Sequence, residues 1–213
     1  MIQYDRLTRQ FVSLDSRQSP ENLAMCARFN ERLAEVSAWL ELKRRNGRYA
    51  QGFVLELVVS SVSGLFHIDA IYDEIGKLEG TDAVPSMTKK PSRMLPPLRE
   101  FWHKHYFQPS FLPRNLRDET ERMVKDGRWE KMFTPYHGKY VHEFVDQVIR
   151  EVVLGAYECR ARDRRITGEF IVYERQADGS NYYLTLGQHG EWDTIRSRID
   201  EYKNFDAHDD LSG

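Results

Sequence analysis

The chain has 213 residues, with 31 lysines and arginines against 33 aspartates and glutamates, a net charge of −2, 40% hydrophobic and 30% charged residues. That length and composition describe one large globular domain, or one domain with an appendage, able to bury a core without staples. No apolar run approaches the roughly 18–20 residues of a membrane-spanning helix, the opening "MIQYDRLTRQFVSLDSRQ" has no apolar stretch of a secretory signal, and the two distant cysteines, Cys26 and Cys159, make neither a disulfide framework nor a CxxC metal pair and fit a reducing cytoplasm.

In chain order, "SPENLAMCARFNERLAEVSAWLELKRRNG" predicts a helix. Ser19 is the N-cap, Pro20 suits the first helical position, and Glu21 suits the positive end of the dipole. Leu23, Ala27, Leu33, Val36 and Leu40 form an apolar stripe at helical spacing. Lys43, Arg44 and Arg45 sit where a helix C-terminus favours cations, and Gly47 follows as the C-cap. From Phe53 to Ile75 apolar residues recur every three to four positions, predicting a second helix that carries His67, although Val54 to Val59 also has strand character. Residues 81–97 are a polar, Pro-rich connection.

Short helices are expected in "LREFWHKHYF" and "LPRNLRDETERMVKDG", and a long one from Gly138 with Val141, Phe144, Val145, Val148, Ile149, Val152 and Val153 on its buried face. The period then changes to two. "TGEFIVYER" and "NYYLTLGQH" flank Asp178-Gly179, a strong hairpin signal. "GEWDTIRSRIDEYKNF" is a closing amphipathic helix with Trp192, Ile195 and Ile199 facing inward, and 206–213 is a polar tail expected to be disordered. The class is α+β: a mostly helical bundle with a C-terminal antiparallel β-hairpin and closing helix. Residues 1–80 form a helical hairpin that makes one compact unit with 98–213.

Charge is uneven along the chain. Residues 81–140 hold 12 basic and 7 acidic side chains, whereas 141–213 hold 9 basic and 15 acidic. Within the basic block, "LREFWHKHYFQPSFLPRNLR" gathers cations, histidines and rings. Basic side chains neutralise phosphates and interleaved rings stack on unpaired bases. Arg99, His103, Lys104, His105, Arg114 and Arg117 are therefore the candidate nucleic-acid contacts, with Lys89, Lys90 and Arg93 beside them. The bland alternative makes the rings core and the cations a solvated face. His103 and His105 point apart if the segment is helical and share one face if it is extended.

The C-terminal "GEFIVYERQADGSNYYLTLGQH" resembles, over about twenty residues, the last hairpin of RelE-like messenger-RNA interferases. The long N-terminal helices have no counterpart in that small family. Metal-free RNA cleavage needs a general base, a general acid and a cation for the developing charge. His189, Glu169 and Arg175 are residue types that fill those roles, against ordinary cross-strand pairs on a surface hairpin. His142 and Asp146, four apart on a helix, with His137 as a third ligand, pattern as a divalent-ion site or as a plain surface pair.

No P-loop, G-x-G-x-x-G, G-x-S-x-G or kinase signature occurs, which argues against a nucleotide-dependent motor and implies no cofactor. The leading expectation is a cytoplasmic protein that binds RNA or single-stranded nucleic acid, with metal-independent cleavage as its chemistry. Two others stand beside it. One is a non-catalytic interaction or regulatory module whose basic block meets an acidic protein partner. The other is a metal-dependent hydrolase.

Overall fold

Ser19 opens the first long helix as the sequence requires. In the computed structural model, which describes residues 2–5, 9–14, 19–64, 68–107, 112–136, 155–163 and 169–210, α1 runs from Pro20 to Lys43 and the Ser19 hydroxyl accepts the Asn22 N–H at 3.3 Å. Before it, β1 (Ile2–Asp5) and β2 (Gln10–Ser13) make a small antiparallel pair that periodicity had not signalled. Phe11 fixes that pair to α1: its ring stacks 4.8 Å from Phe29, and the Asn30 side chain bonds its backbone N–H and C=O.

The second helical segment is two helices, not one. α2 spans Gln51–Val62 and α3 spans Ile68–Glu79, and Gly64 takes a left-handed backbone at φ 67° just past the end of α2. Each half keeps the apolar period, so the spacing reads through the break. The polar, small residues Ser60, Ser61, Ser63 and Gly64 favour the exit. Gly47 does not cap α1, whose C-cap is Arg44 in extended conformation. The Glu79 carboxylate instead accepts the backbone N–H groups of Arg45, Asn46 and Gly47, the last at 3.0 Å.

The core of the fold is a five-stranded mixed sheet in the order β3 (Arg48–Tyr49), β7 (Asn181–Gly187), β6 (Phe170–Arg175), β5 (Trp102–His105), β4 (Ser92–Arg93). β3 runs parallel to β7 and all other neighbours are antiparallel. The α+β class holds, but β6 and β7 lie inside a wider sheet rather than standing as a hairpin attached to a helical bundle. Their turn closes through Gln176 N–H to Ser180 O and through the Asp178 carboxylate, which accepts from Ser180. A bulge between Val172 and Tyr173 leaves Leu184 as the extra residue on β7.

The stretch expected as a short helix at 98–107 is instead a loop and β5. Helix propensity yields here because β6 supplies a partner edge, pairing His103 with Val172 and His105 with Phe170. The helix expected next is present as α4 (Leu112–Lys125), followed by α5 (Arg128–Phe133). Of the long helix expected from Gly138, only α6 (Ala156–Arg162) is described. His67, His137, His142 and Asp146 lie outside the described residues.

The last helix, α7 (Trp192–Asp210), lies on the Phe170 face of the sheet with Ile195 and Ile199 fully buried. It continues through 206–210, where a tail was expected, because Asp206 accepts the Gln51 N–H at 3.1 Å and the Tyr182 hydroxyl. α3 supplies Glu74 and Glu79 to the opposite face. α2 lies against the edge of β7, where Glu56 accepts the Leu186 N–H and the Thr185 hydroxyl and pairs with Arg198 of α7. Among the described residues no helix is long and apolar enough to cross a membrane.

Candidate functional site

Strand alternation decides where the two histidines of β5 go. Successive side chains of a strand point to opposite faces, so His103 and His105 share one face, with ring centroids 5.2 Å apart. Phe170, opposite His105 on β6, lies 5.2 Å from His103 and 5.7 Å from His105. His189, two residues past the end of β7, brings its ring to 5.3 Å from His105 and 5.2 Å from Phe170. Three histidines from two distant parts of the chain thus surround one phenylalanine. Gly187 makes this possible: a Cβ there would stand 2.5 Å from the Phe170 ring and 2.8 Å from Ile195.

The cluster has a basic rim. Burial, and then the charges of Arg114 and Lys89, hold His189 below the ordinary histidine range. Burial, His189 and Lys89 do the same to His103. Lys89 is itself held below the usual lysine range by burial, Arg160 and Arg114, with Asp118 opposing. Arg160 is buried and engaged, its guanidinium bonding Asn115 at 3.1 Å. Lys89 and Arg114 are exposed, and no carboxylate among the described residues closes an ion pair with either. The arrangement sets two imidazoles of lowered pKa, His103 and His189, beside two exposed cations, a combination suited to an anionic ligand and to proton transfer.

An apolar cavity of about 120 Å³ opens beside the histidines, lined by Met94, Leu95, His103, Phe170, His189 and Trp192. Its outer wall is the loop between β4 and β5. Leu98 and Phe101 bury that loop's base, and Arg196 of α7 ties it down by donating to the Pro97 carbonyl at 3.0 Å. Leu95 is left 70% exposed at the rim. Trp192 stacks at 6.3 Å from Phe170 across the cavity floor.

The remaining sequence-derived candidates are distributed elsewhere. Lys104 points to the opposite face and is buried, 3.0 Å from the Glu74 carboxylate, with Ser86 and the Lys89 carbonyl also accepting from it. Arg99 is exposed on the β4–β5 loop. Arg117 is exposed on α4 and pairs loosely with Glu121 at 4.0 Å. Glu169 is buried and accepts the Tyr106 hydroxyl at 2.9 Å; burial raises its pKa, against that hydrogen bond. Arg175 sits at the far end of β6, 3.8 Å over the Trp102 ring. Five residues of strand, roughly 17 Å, separate its position from that of Phe170. Of the proposed trio only His189 is in the cluster, and His103, His105, Lys89 and Arg114 join it.

Phe170, Trp192, Met94 and Leu95 escaped the sequence reading. Trp192 registered only as an inward-facing helix residue, and nothing local marks which buried ring borders a cavity. Among the described residues no group of three or more His, Cys, Asp or Glu is placed to hold a metal ion. Comparison with protein-family models, with curated proteins and with solved structures finds no match to this chain.

Proposed function

We propose that the face formed by His103, His105, His189, Lys89 and Arg114 binds single-stranded RNA and cleaves it without a metal. The observation that supports this reading is the meeting of three imidazoles with two exposed cations, which form no ion pair with a carboxylate among the described residues, beside an apolar cavity. Phosphates bind at Lys89 and Arg114. His103, the more enclosed imidazole, whose pKa burial lowers, takes the proton of a ribose 2′-hydroxyl. The 2′-oxygen attacks the adjacent phosphorus, and the bond from phosphorus to the 5′-oxygen breaks. His189, more exposed and charged by the nearby phosphate, gives its proton to the departing 5′-oxygen. Lys89 and Arg114 face the charge that develops on the non-bridging oxygens. The products are a 2′,3′-cyclic phosphate and a 5′-hydroxyl.

The test is incubation with a single-stranded oligoribonucleotide, with the ends of the products identified. Cyclic-phosphate products are expected, and a 2′-deoxy substitution at the cleaved position should block the reaction. His103→Ala and His189→Ala should each slow cleavage by about 10²–10⁴ while the oligonucleotide still binds. Full cleavage by the folded double variant would refute the assignment.

A further inference from the structure

The cavity beside the histidines has a size that selects its occupant. An enclosed apolar cavity of about 150 Å³ accommodates one benzene ring, and this one measures about 120 Å³. It is far below the several hundred Å³ of a site for a drug-sized ligand. Its walls are rings and thioether: the half-buried Trp192 offers its ring to a base, nearly parallel to the fully buried Phe170 at 19°, and Met94 and Leu95 close the outer side. Unpaired bases stack on such surfaces. Two of the walls are His103 and His189, so a ring seated here has its sugar and phosphate beside the imidazoles and within the field of Lys89 and Arg114.

We propose that this slot takes one unpaired pyrimidine base of the bound strand and so gives the site a preference for pyrimidines over purines. The inference rests on the RNA-binding reading above and adds the identity of the nucleotide. One six-membered ring fills the slot. The second ring of a purine exceeds the volume of about 120 Å³ and must displace Leu95, which stands 70% exposed at the rim.

The experiment measures equilibrium binding of oligouridylate, oligocytidylate and oligoadenylate of equal length at one salt concentration, for the wild type and for Leu95→Trp. Leu95 is exposed, so the larger side chain fills the slot from the rim and leaves the fold intact; circular dichroism checks this. The wild type should bind both pyrimidine strands about tenfold more tightly than oligoadenylate, the value of one stacked base. Leu95→Trp should abolish that ratio and leave the salt dependence of binding unchanged. Self-stacking of adenylates acts equally on both proteins, so it cannot produce the difference between them. Equal affinities in the wild type, or a ratio that survives Leu95→Trp, overturns the pyrimidine slot while RNA binding stands. Absence of salt-dependent binding to all three strands overturns the parent reading as well.

Discussion

His105 and His189 bring their rings to 5.3 Å although one belongs to a strand in the middle of the chain and the other to the turn before the last helix. The contact exists because β5 and β7 are both neighbours of β6, so Phe170 of β6 receives a histidine from each side. Every functional expectation here follows from that junction and from the cations that border it.

The first prediction concerns salt. Each phosphate contact releases counterions, so a cation that touches the strand contributes about 0.7 to the slope of log affinity against log salt for a single strand. Lys89→Met and Arg114→Met should each lower the slope by about that amount. Arg99→Met and Arg117→Met should leave it nearly unchanged. A fluorescence-anisotropy titration over a salt series reads this, and equal losses for all four variants would show that the rim does not carry the contact.

A second expectation separates Lys104 from those cations. Lys104 and Glu74 are both almost fully buried, with Lys77 as a further partner of Glu74 at 3.2 Å. Removing one member of a buried ion pair leaves an uncompensated charge, which costs about 3–5 kcal/mol. Lys104→Met should lose stability on that scale in urea unfolding, and the double variant with Glu74→Met should recover much of it. The salt slope of binding per folded molecule should stay as in the wild type.

Glu79 links acid stability to the geometry around β3. Burial raises its pKa, but hydrogen bonds from Tyr183, Asn181 and the backbone of Asn46 and Gly47 outweigh burial and leave it lowered. A carboxylate with a folded pKa below its unfolded value of about 4.3 contributes stability that is complete above that value and is lost as pH falls through the folded pKa. The wild type should therefore weaken below about pH 4. Glu79→Gln should be less stable at pH 7 and should have a flatter profile in that acid window, measured by thermal melts across pH.

The histidines predict the reverse trend for ligand affinity. His103 and His189 have lowered pKa values in the free protein, and a bound phosphate opposes the burial and the charges of Lys89 and Arg114 that lower them. Oligonucleotide affinity should rise as pH falls below about 6.5, by up to tenfold per pH unit for each proton taken up. Folding stability moves the other way: these groups bind protons more readily when unfolded, so each subtracts stability over the same window. His189→Gln should flatten the affinity profile. A wild-type affinity constant from pH 7 to pH 5 would remove the histidines from the phosphate site.

The sequence alone determined local features, because these depend on residues close together in the chain. Ser19 and Pro20 start α1, Asp178-Gly179 turns β6 into β7, and Ile195 and Ile199 face inward on α7. The basic block was legible as composition, and the two possible arrangements of His103 and His105 followed from strand and helix geometry. Only the tertiary structure decided between them. The open edge of β6 drew residues 102–105 into a strand, which sent both histidines to the Phe170 face and Lys104 to Glu74. Pairing between distant segments depends on which edge is free and which charge is buried, and spacing along the chain encodes neither.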